Sequence, residues 1–286
     1  MNHRADLSRF FVYQAYGKVE ILQQTLFSVV SLLSFLRQHG DCGIVIYTDQ
    51  KQYFVDVLGD LDLISYEPLT AEKIAVWKGQ IQFVHRLKIE MLLDVAQKRD
   101  GRFIYLDGDT YFLSDPRNLF DQISNGQTLM HLPEGQISLL RDPLSKKLRK
   151  FLRRESFEIG GKSYAISPDL IMWNAGVIGY ASAHQPLLRR ILELTDQTYT
   201  KYQKHVMEQM SVSEVLQKNG AVRRTDEVIF HYWNQKDEYQ KLIVDFLGTH
   251  RKVDQLLEAY SKFQFPAPPP PKRTFWEKLK MWLDSR

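Results

Sequence analysis

Cysteine is almost missing from this chain of 286 residues, in which Cys42 is the only one. A single thiol cannot form an intrachain disulfide, and four-ligand zinc sites built from several thiolates are excluded, so we expect a reducing compartment. Long apolar runs are scarce too. The longest, residues 25–36, is interrupted by three serines and is shorter than a bilayer span requires. Residues 1–7 hold no apolar run, so the sequence predicts neither a secretory signal nor a transmembrane anchor.

An excess of charge of one sign is also absent. Lys and Arg number 38 against 34 Asp and Glu, and this formal charge of +4 gives no reason to expect a nucleic-acid partner. A composition of 44% hydrophobic and 25% charged residues is typical of a globular protein with a substantial core. No polar or Gly/Ser-rich linker interrupts the first 260 residues, which favours one domain over residues 1–262 rather than two equal domains.

The apolar patterns that are present alternate between strands and helices. Residues 9–13 and 43–49 predict strands, and a helical spacing of apolar residues predicts a helix over residues 19–38 between them. A helix over residues 83–96 and a strand over residues 102–106 follow. This alternation predicts an α/β fold with a parallel sheet.

Three more segments follow in the second half. Residues 171–180 are strand-like, with small residues where a backbone could approach a ligand closely, and residues 185–202 predict a helix. Asp142 and Pro143 predict the start of a helix that reaches residue 155. Leucines share one face of that helix, and six Lys and Arg residues cover the rest. Such a charge run mostly predicts a solvated helix flank, with acidic substrates or lipid head groups as the alternative.

The C-terminal residues 263–286 differ from the rest of the chain. Residues 263–271 hold five of the eleven prolines and predict an extended, semi-rigid spacer. Beyond them, a capping-box pattern from Thr274 to Glu277 opens a predicted short amphipathic helix. Residues 272–286 carry five basic and two acidic residues, a net +3. This suits an anionic membrane surface, and docking onto the protein body or another subunit is the alternative.

The strand over residues 102–106 runs directly into Asp107-Gly-Asp109. This places two carboxylates at the carboxyl edge of the sheet, where open α/β folds bind ligands. Such oxygen ligands suit Mg²⁺ or Mn²⁺, which bridge one or two protein carboxylates to substrate phosphates. A lone Asp-x-Asp is more often a turn. Here apolar segments flank the pair on both sides, and an unsatisfied acidic pair in that setting is costly, which favours a functional role.

Four segments occur in a fixed order along the chain: His85-Arg-Leu-Lys-Ile89, Tyr105-Leu-Asp-Gly-Asp109, Trp173-Asn-Ala-Gly-Val177 and Glu208-Gln209. They resemble motifs of the nucleotide-sugar glycosyltransferases of the GT-A fold, in particular the retaining family eight that includes glycogenin and bacterial lipooligosaccharide galactosyltransferases. The similarity spans roughly residues 9–235, with Glu208 standing where the family has Asp. It implies a Rossmann-like, mixed but mostly parallel sheet flanked by helices.

The resemblance further implies an activity. A hexose would move from a UDP-sugar to a hydroxyl of a glycan or glycolipid, with retention, in the synthesis of a cell-surface polysaccharide. The single cysteine and the missing secretory signal predict a cytoplasmic location for this enzyme, and the basic amphipathic tail predicts contact with the inner face of the membrane. A Mn²⁺ or Mg²⁺ ion would hold the diphosphate of the donor.

Site residues also follow from the resemblance. Gln209 would lie beside the anomeric carbon, and Arg86 would reach the donor sugar or diphosphate. Asp109 would bind the metal, while Asp107 would serve the ribose as well as the metal. The other implied residues are Asn174, Ala175 and Gly176 around the sugar, Lys236 on a phosphate, and Tyr13, Ala15, Thr48, Asp49, Lys88 and Gly108 in donor binding.

The third metal ligand would be His231. Tyr232 and Trp233 follow it where the family has Gly and a Lys-Pro-Trp pattern, and a core histidine is the alternative.

Other functions compete with this hypothesis. In a retaining reaction the leaving diphosphate acts as base, whereas an inverting transferase needs a carboxylate base, for which Asp169 and Glu208 are the candidates. A nucleotidyltransferase usually has a Gly-rich loop near its first strand, whereas residues 13–18 contain only one Gly. A phosphohydrolase carries its acidic motif on the first strand, whereas Asp107 and Asp109 follow the third predicted strand. The sequence therefore favours neither class. A catalytically silent nucleotide-sugar binding protein also remains open.

Overall fold

A computed structural model describes residues 7–36, 40–124, 126–248 and 252–263. The strands in these ranges are β1 (Arg9–Ala15), β2 (Gly43–Thr48), β3 (Ile64–Pro68), β4 (Arg102–Leu106), β5 (Thr110–Phe112), β6 (Gln127–Met130), β7 (Pro133–Gln136), β8 (Phe157–Ile159), β9 (Lys162–Tyr164), β10 (Ile171–Trp173), β11 (Val177–Ala181), β12 (Ala221–Arg224) and β13 (Ile229–His231). The α-helices are α1 (Val19–Leu36), α2 (Lys51–Leu58), α3 (Ala71–Lys78), α4 (Arg86–Lys98), α5 (Pro143–Leu152), α6 (Gln185–Lys201), α7 (Met207–Asn219), α8 (Lys236–Gly248) and α9 (Val253–Lys262). The predicted amphipathic tail helix, and the predicted spacer beyond Phe263, lie outside the described residues.

Seven strands form the central sheet in the order β12-β6-β11-β4-β1-β2-β3. Strands β4, β1, β2 and β3 run parallel to one another, and β12 runs parallel to β6. Strand β11 is antiparallel to both of its neighbours, β4 and β6. The sheet is therefore mixed and mostly parallel, as expected from the sequence.

Each face of the sheet is covered by helices. Alternate side chains of a strand point to opposite faces, so Val12 of β1 joins one core while Phe11 and Tyr13 join the other. The first core is completed by α4, α6 and α7, and the second by α1, α2, α8 and α9. The two buried faces explain why β1, β2 and β4 are almost continuously apolar.

Helix α1 lies in the second core. Among the described residues it is the one helix whose length, 18 residues, and mean hydropathy, 1.6, would allow it to cross a membrane, and 67% of it is buried inside the fold. It packs against β5, α8 and α9. Its serines are satisfied within this core: Ser28 shares hydrogen bonds with Tyr13 and Thr110, and Ser31 accepts one from the backbone N–H of Phe112. Burial in this fold therefore accounts for the apolar composition of α1.

The strand-like segment predicted over residues 171–180 is divided in two. Strand β10 pairs with β7 in a separate two-stranded sheet, whereas β11 enters the central sheet. Residues 174–176 lie between them, because the chain leaves one sheet and joins the other at this point. Two of their backbone groups, the Ala175 carbonyl and the Gly176 N–H, bond side chains of the site described next.

Candidate functional site

The carboxyl ends of β1, β2 and β4 meet at one edge of the sheet, since these strands are parallel neighbours. Asp107 follows β4 directly, and the loops after β1 and β2 are joined where the Gly17 N–H donates to the Asp49 carboxylate at 3.1 Å. The side chain of Tyr13 is fully buried and hydrogen-bonded to Ser28. This edge also carries the other predicted donor-binding residues of the first two strands, Ala15 and Thr48.

Asp107, Asp109 and His231 come together at this edge, with one ligand atom from each lying within 4.8 Å of the others. The pairing of β13 with β5 brings them together, because it sets His231 opposite Thr110, the residue after Asp109. The backbone N–H of Tyr232 also donates to the carbonyl oxygen of Asp109 at 3.1 Å. The three residues predicted as metal ligands therefore form one cluster of two carboxylates and an imidazole.

Hydrogen bonds fix the orientation of the His231 ring. Asn174 Nδ2 donates to the carboxylate of Glu134 at 3.1 Å, and Asn174 Oδ1 accepts from the Gly176 N–H at 3.0 Å. His231 Nδ1 lies 2.9 Å from the same Oδ1 and must therefore be the donor. The hydrogen-bond network thus holds His231 in an orientation that leaves its other nitrogen, Nε2, to face the acidic pair.

The chemistry of this cluster fits a divalent cation. His231 Nε2 makes no hydrogen bond within the described part of the chain, although Asp109 Oδ1 lies only 3.2 Å away. An imidazole lone pair facing a carboxylate at that distance requires a positive charge between them, supplied by a proton or by a metal ion. Carboxylate and imidazole ligands suit Mn²⁺, and a ligating imidazole whose other nitrogen is hydrogen-bonded is the usual arrangement.

Gly176 makes room for this imidazole. A Cβ atom added to Gly176 would lie 2.2 Å from His231 Nδ1 and Cε1, closer than any contact can be. Its carbonyl oxygen accepts the N–H of Asp107 at 2.8 Å. The absence of a side chain at Gly176 therefore allows the backbone to lie close to the ring of His231, a candidate metal ligand.

A buried lysine lies beside the cluster. Lys88 Nζ is 3.3 Å from Asp107 and 3.6 Å from Glu208, and it donates to the Ala175 carbonyl at 3.1 Å. Burial would lower the pKa of Lys88, but Asp107 and Glu208 raise it above its usual value, so the ammonium stays charged. Burial raises the pKa of Glu208 to about 7, and Lys88 opposes that rise. Tyr105 donates its hydroxyl hydrogen to the Asp107 carboxylate.

A second lysine reaches the cluster from the solvent side. Lys236 Nζ lies 2.8 Å from Asp109, and its side chain is 53% exposed. Burial alone would raise the pKa of Asp109, but His231 and Lys236 hold it well below its usual range. Asp109 is therefore ionised at neutral pH, and Lys236 is placed where it could also meet an anionic ligand.

Gln209 is joined to the same network through Glu134, a residue that sequence reasoning missed. Gln209 Nε2 donates to one oxygen of the Glu134 carboxylate at 2.7 Å, while Asn174 donates to the other. Glu134 lies in β7, which reaches Asn174 through the pairing of β7 with β10. A pairing between strands so far apart in the chain leaves no local sequence signal. Tyr105 was not predicted as a site residue because an aromatic residue within an apolar strand is typical of the core.

Two predicted site residues are engaged outside the cluster. The Arg86 guanidinium binds Asp196 and Glu90, each at 2.7 Å, and the carbonyl oxygen of Trp77. The exposed Asp169 accepts a hydrogen bond from Gln136 at 2.7 Å. Contact of Arg86 with a donor therefore stays a prediction, and so does a role of Asp169 as base.

The fold is similar to that of a solved galactosyltransferase, LgtC, in complex with donor and acceptor sugar analogues. The two structures superpose with a TM-score of 0.50 and 11% sequence identity, over 74% of this chain and 72% of the other. No protein-family model matches the chain. No curated protein matches it either. The likeness shows a GT-A type fold for this chain.

Proposed function

We propose that this chain is a metal-dependent glycosyltransferase that moves a hexose from a UDP-sugar to a hydroxyl group of a glycan or glycolipid, with retention. The observation that carries the proposal is the cluster of Asp107, Asp109 and His231 at the carboxyl edge of a GT-A type sheet. A divalent ion held there would neutralise the charge that develops on the departing diphosphate.

The two lysines fit a diphosphate donor. Lys236 is exposed beside Asp109 and can donate to a phosphate oxygen, whereas the buried Lys88 holds the Asp107 carboxylate in place. Because Lys88 also donates to the carbonyl oxygen of Ala175, it fixes the backbone that would line the sugar pocket. These residues would position the donor before reaction, which lowers the barrier without any proton transfer from the protein.

In this proposal Gln209 and Asn174 meet the sugar. Since the amide nitrogen of Gln209 donates to Glu134, its carbonyl oxygen is the group it can offer to the anomeric centre. Asn174 is held between Glu134 and His231 and links this group to the metal cluster. Glu134 therefore serves as a positioning residue for both amides.

Retention is supported by where the candidate bases lie. The carboxylate of Glu208 is buried beside Lys88, with its side chain 4% exposed, so an acceptor hydroxyl cannot reach it. Asp169 is bound to Gln136, outside the cluster. In the proposed reaction the bond from the anomeric carbon to the diphosphate breaks. The acceptor oxygen bonds to that carbon from the same face, and the acceptor proton passes to a diphosphate oxygen.

Thermal stabilisation by a panel of UDP- and GDP-sugars tests the proposal, measured with Mn²⁺, with Mg²⁺ and with EDTA. A donor at a hundred times its Kd raises the free energy of unfolding by about 2.7 kcal/mol. We expect this only with a divalent ion. The stabilising donor is then incubated with acceptor sugars and the products are analysed. Stabilisation without any product would favour the silent binding protein, and no stabilisation by any donor would contradict the proposal.

The membrane contact and cytoplasmic location stay predictions. Residues 272–286, which would make that contact, lie outside the described residues. A chain ending at Phe265 should no longer co-sediment with anionic liposomes. Co-sedimentation equal to that of the full chain would remove the support for this role.

A further inference from the structure

A line of cations runs along the exposed side of α5, and we call it the basic stripe: Lys146, Arg149, Lys150, Arg153 and Arg154. Spacings of three and four residues put the members that lie in the helix on one face, and the last two continue the stripe through the turn that ends it. Leu148 and Leu152 on the opposite side are buried in the core. Helix α5 is thereby held rigidly while its cations face outward.

The basic stripe lines a cleft of about 470 Å³, and all five residues around that cleft are cations. Within the described part of the chain, none of the five forms an ion pair with an acidic residue. The acidic residues nearby in the chain are already engaged: Asp142 accepts the N–H of Ser145 as the helix cap, and Glu155 pairs with Lys201. The carboxylate of Asp169 interacts electrostatically with Arg153 without a direct ion pair, so most of the positive charge of the stripe is not compensated by the described residues.

The basic stripe is connected to the candidate site. The guanidinium of Arg149 donates to the carbonyl oxygen of Ser138, which fixes this arginine against the turn that follows β7. Strand β7 carries Glu134, the residue that holds Gln209 and Asn174. Four residues of extended chain span at most about 14 Å, so Ser138 lies within that distance of Glu134.

The position of the stripe relative to the sheet suggests which substrate it would meet. The predicted donor residue Thr48 ends β2 and Asp49 follows it, on one side of β4 in the sheet order. Strands β11 and β6 lie on the other side of β4, and α5 follows β6 by way of β7. A molecule bound along the stripe would therefore approach Gln209 from the side opposite the nucleotide.

Building on the proposed glycosyltransferase function, we propose that the basic stripe binds the phosphate groups of an anionic acceptor and so directs its sugar end to Gln209. Guanidinium groups bind phosphate through paired hydrogen bonds, and three of the five cations are arginines. A cleft suits discrete phosphate groups. A surface that binds an anionic bilayer usually has apolar side chains among its cations, and none of the residues that line this cleft is apolar.

Two triple variants of the full chain test this proposal. The stripe variant is Lys146→Gln/Lys150→Gln/Arg153→Gln, which leaves the Arg149 bond to Ser138 intact. The control variant is Lys51→Gln/Arg190→Gln/Lys241→Gln, which removes the same charge from exposed positions on α2, α6 and α8. Inositol hexakisphosphate, the soluble phosphate probe, is titrated calorimetrically in EDTA so that the metal cluster cannot bind it.

The stripe variant should bind this probe about tenfold more weakly than the unmodified chain or worse, because three charge-assisted contacts are lost. The control variant should stay within about twofold, the difference expected from net charge alone. Equal affinity in both variants would overturn the proposal.

With a phosphorylated oligosaccharide as acceptor, the stripe variant should raise the acceptor KM about tenfold and leave kcat unchanged. Phosphatase treatment of that acceptor should remove the difference, and a difference that persists would overturn the acceptor assignment.

Two further measurements separate this proposal from its alternatives. Vesicles of phosphatidylcholine and phosphatidylglycerol are co-sedimented with both variants, and we expect the same bound fraction for each. A stripe variant that loses vesicle binding while keeping its affinity for the soluble probe would assign the stripe to a lipid surface and overturn the proposal.

Donor stabilisation should be the same in the stripe variant and the unmodified chain. If no donor stabilises even the unmodified chain, the glycosyltransferase function fails, whatever the probe titration shows.

Discussion

The cluster around Asp109 and the basic stripe differ in how their charges are buried and paired. In the cluster around Asp109, three charged groups are buried beside an opposite charge: the side chains of Lys88, Asp109 and Glu208 are 9%, 5% and 4% exposed. In the basic stripe, cations lie side by side at the surface without a direct ion pair among the described residues. A buried charge must be paired because its desolvation is costly, whereas an exposed one costs little. The charges of the cluster therefore depend on one another, whereas the cations of the stripe are free to bind a partner outside the chain.

The largest expected effect comes from breaking the cluster at Asp109. Asp109→Asn should abolish metal-dependent donor stabilisation and lower turnover by about a thousandfold, because loss of a metal ligand removes several kcal/mol of charge stabilisation. Product formation with Mn²⁺ and the stabilising donor measures this. Asp56→Asn on the exposed side of α2 is the matched control. Turnover that keeps its metal dependence in Asp109→Asn would exclude this residue as a ligand.

Removing the buried cation should weaken the fold itself. Lys88→Met leaves Glu208 and Asp107 without their partner and should lower the free energy of unfolding by about 3–5 kcal/mol. Urea denaturation in EDTA measures this loss. The double variant Lys88→Met/Glu208→Leu should recover part of it, since it replaces both charges of one pair. A double variant less stable than Lys88→Met alone would contradict the view that Glu208 depends on Lys88.

The contribution of the His231 orientation to metal binding can be tested without substituting any of the three candidate metal ligands. Asn174→Ala removes the acceptor of the His231 Nδ1 proton and should weaken Mn²⁺ binding by about 10- to 100-fold, as loss of the hydrogen-bond partner of a metal ligand usually does. Calorimetric titration with Mn²⁺ measures the affinity. Asn219→Ala, at the end of α7, is the matched control. An unchanged affinity in Asn174→Ala would show that the network does not support the metal site.

A smaller effect is expected at Glu134. Glu134→Gln keeps the shape of the side chain but can accept only one of the two amide hydrogen bonds, a loss of about 1 kcal/mol. We expect kcat to fall about fivefold to tenfold, with the donor KM changed by less than about twofold. Glu158→Gln provides an exposed control. A rise in donor KM at constant kcat would mean that Glu134 acts on donor binding and does not position Gln209.

The smallest effect is expected in the basic stripe. Lys150→Gln should change the free energy of unfolding by less than about 0.5 kcal/mol, because an exposed cation without an ion pair contributes little to the fold. Urea denaturation of the variant beside the unmodified chain measures it. A loss above about 1 kcal/mol would make the stripe a structural element and remove the contrast between the two regions.

Local patterns were enough for the parts of the site that lie on one element. The apolar run before Asp107 predicts strand β4 with two carboxylates at its carboxyl end, and Asp142 with Pro143 predicts the start of α5, where the Asp142 side chain accepts the Ser145 N–H. His231 was implied by resemblance alone. Its place beside Asp109 depends on β13 pairing with β5, which no local pattern shows.

Features that depend on distant contacts could not be predicted. Glu134 carries no motif, and it matters only because β7 pairs with β10 next to Asn174. Arg86 stands in a motif, yet Asp196 on another helix binds its guanidinium. The sequence likewise displays the charges of α5 but not whether acidic residues from elsewhere in the chain pair with them.

Helix α1 has a consequence for how the chain is made. It is synthesised before two of the helices that cover it, α8 and α9, which are among the last described elements of the chain. Domains fold as units during synthesis, so a nascent chain carries α1 without these two helices until α9 has left the ribosome. During that interval α1 has the features by which chaperones and membranes recognise an unfinished protein. The order of the elements along the chain thus leaves α1 only partly covered for as long as α8 and α9 have not been made.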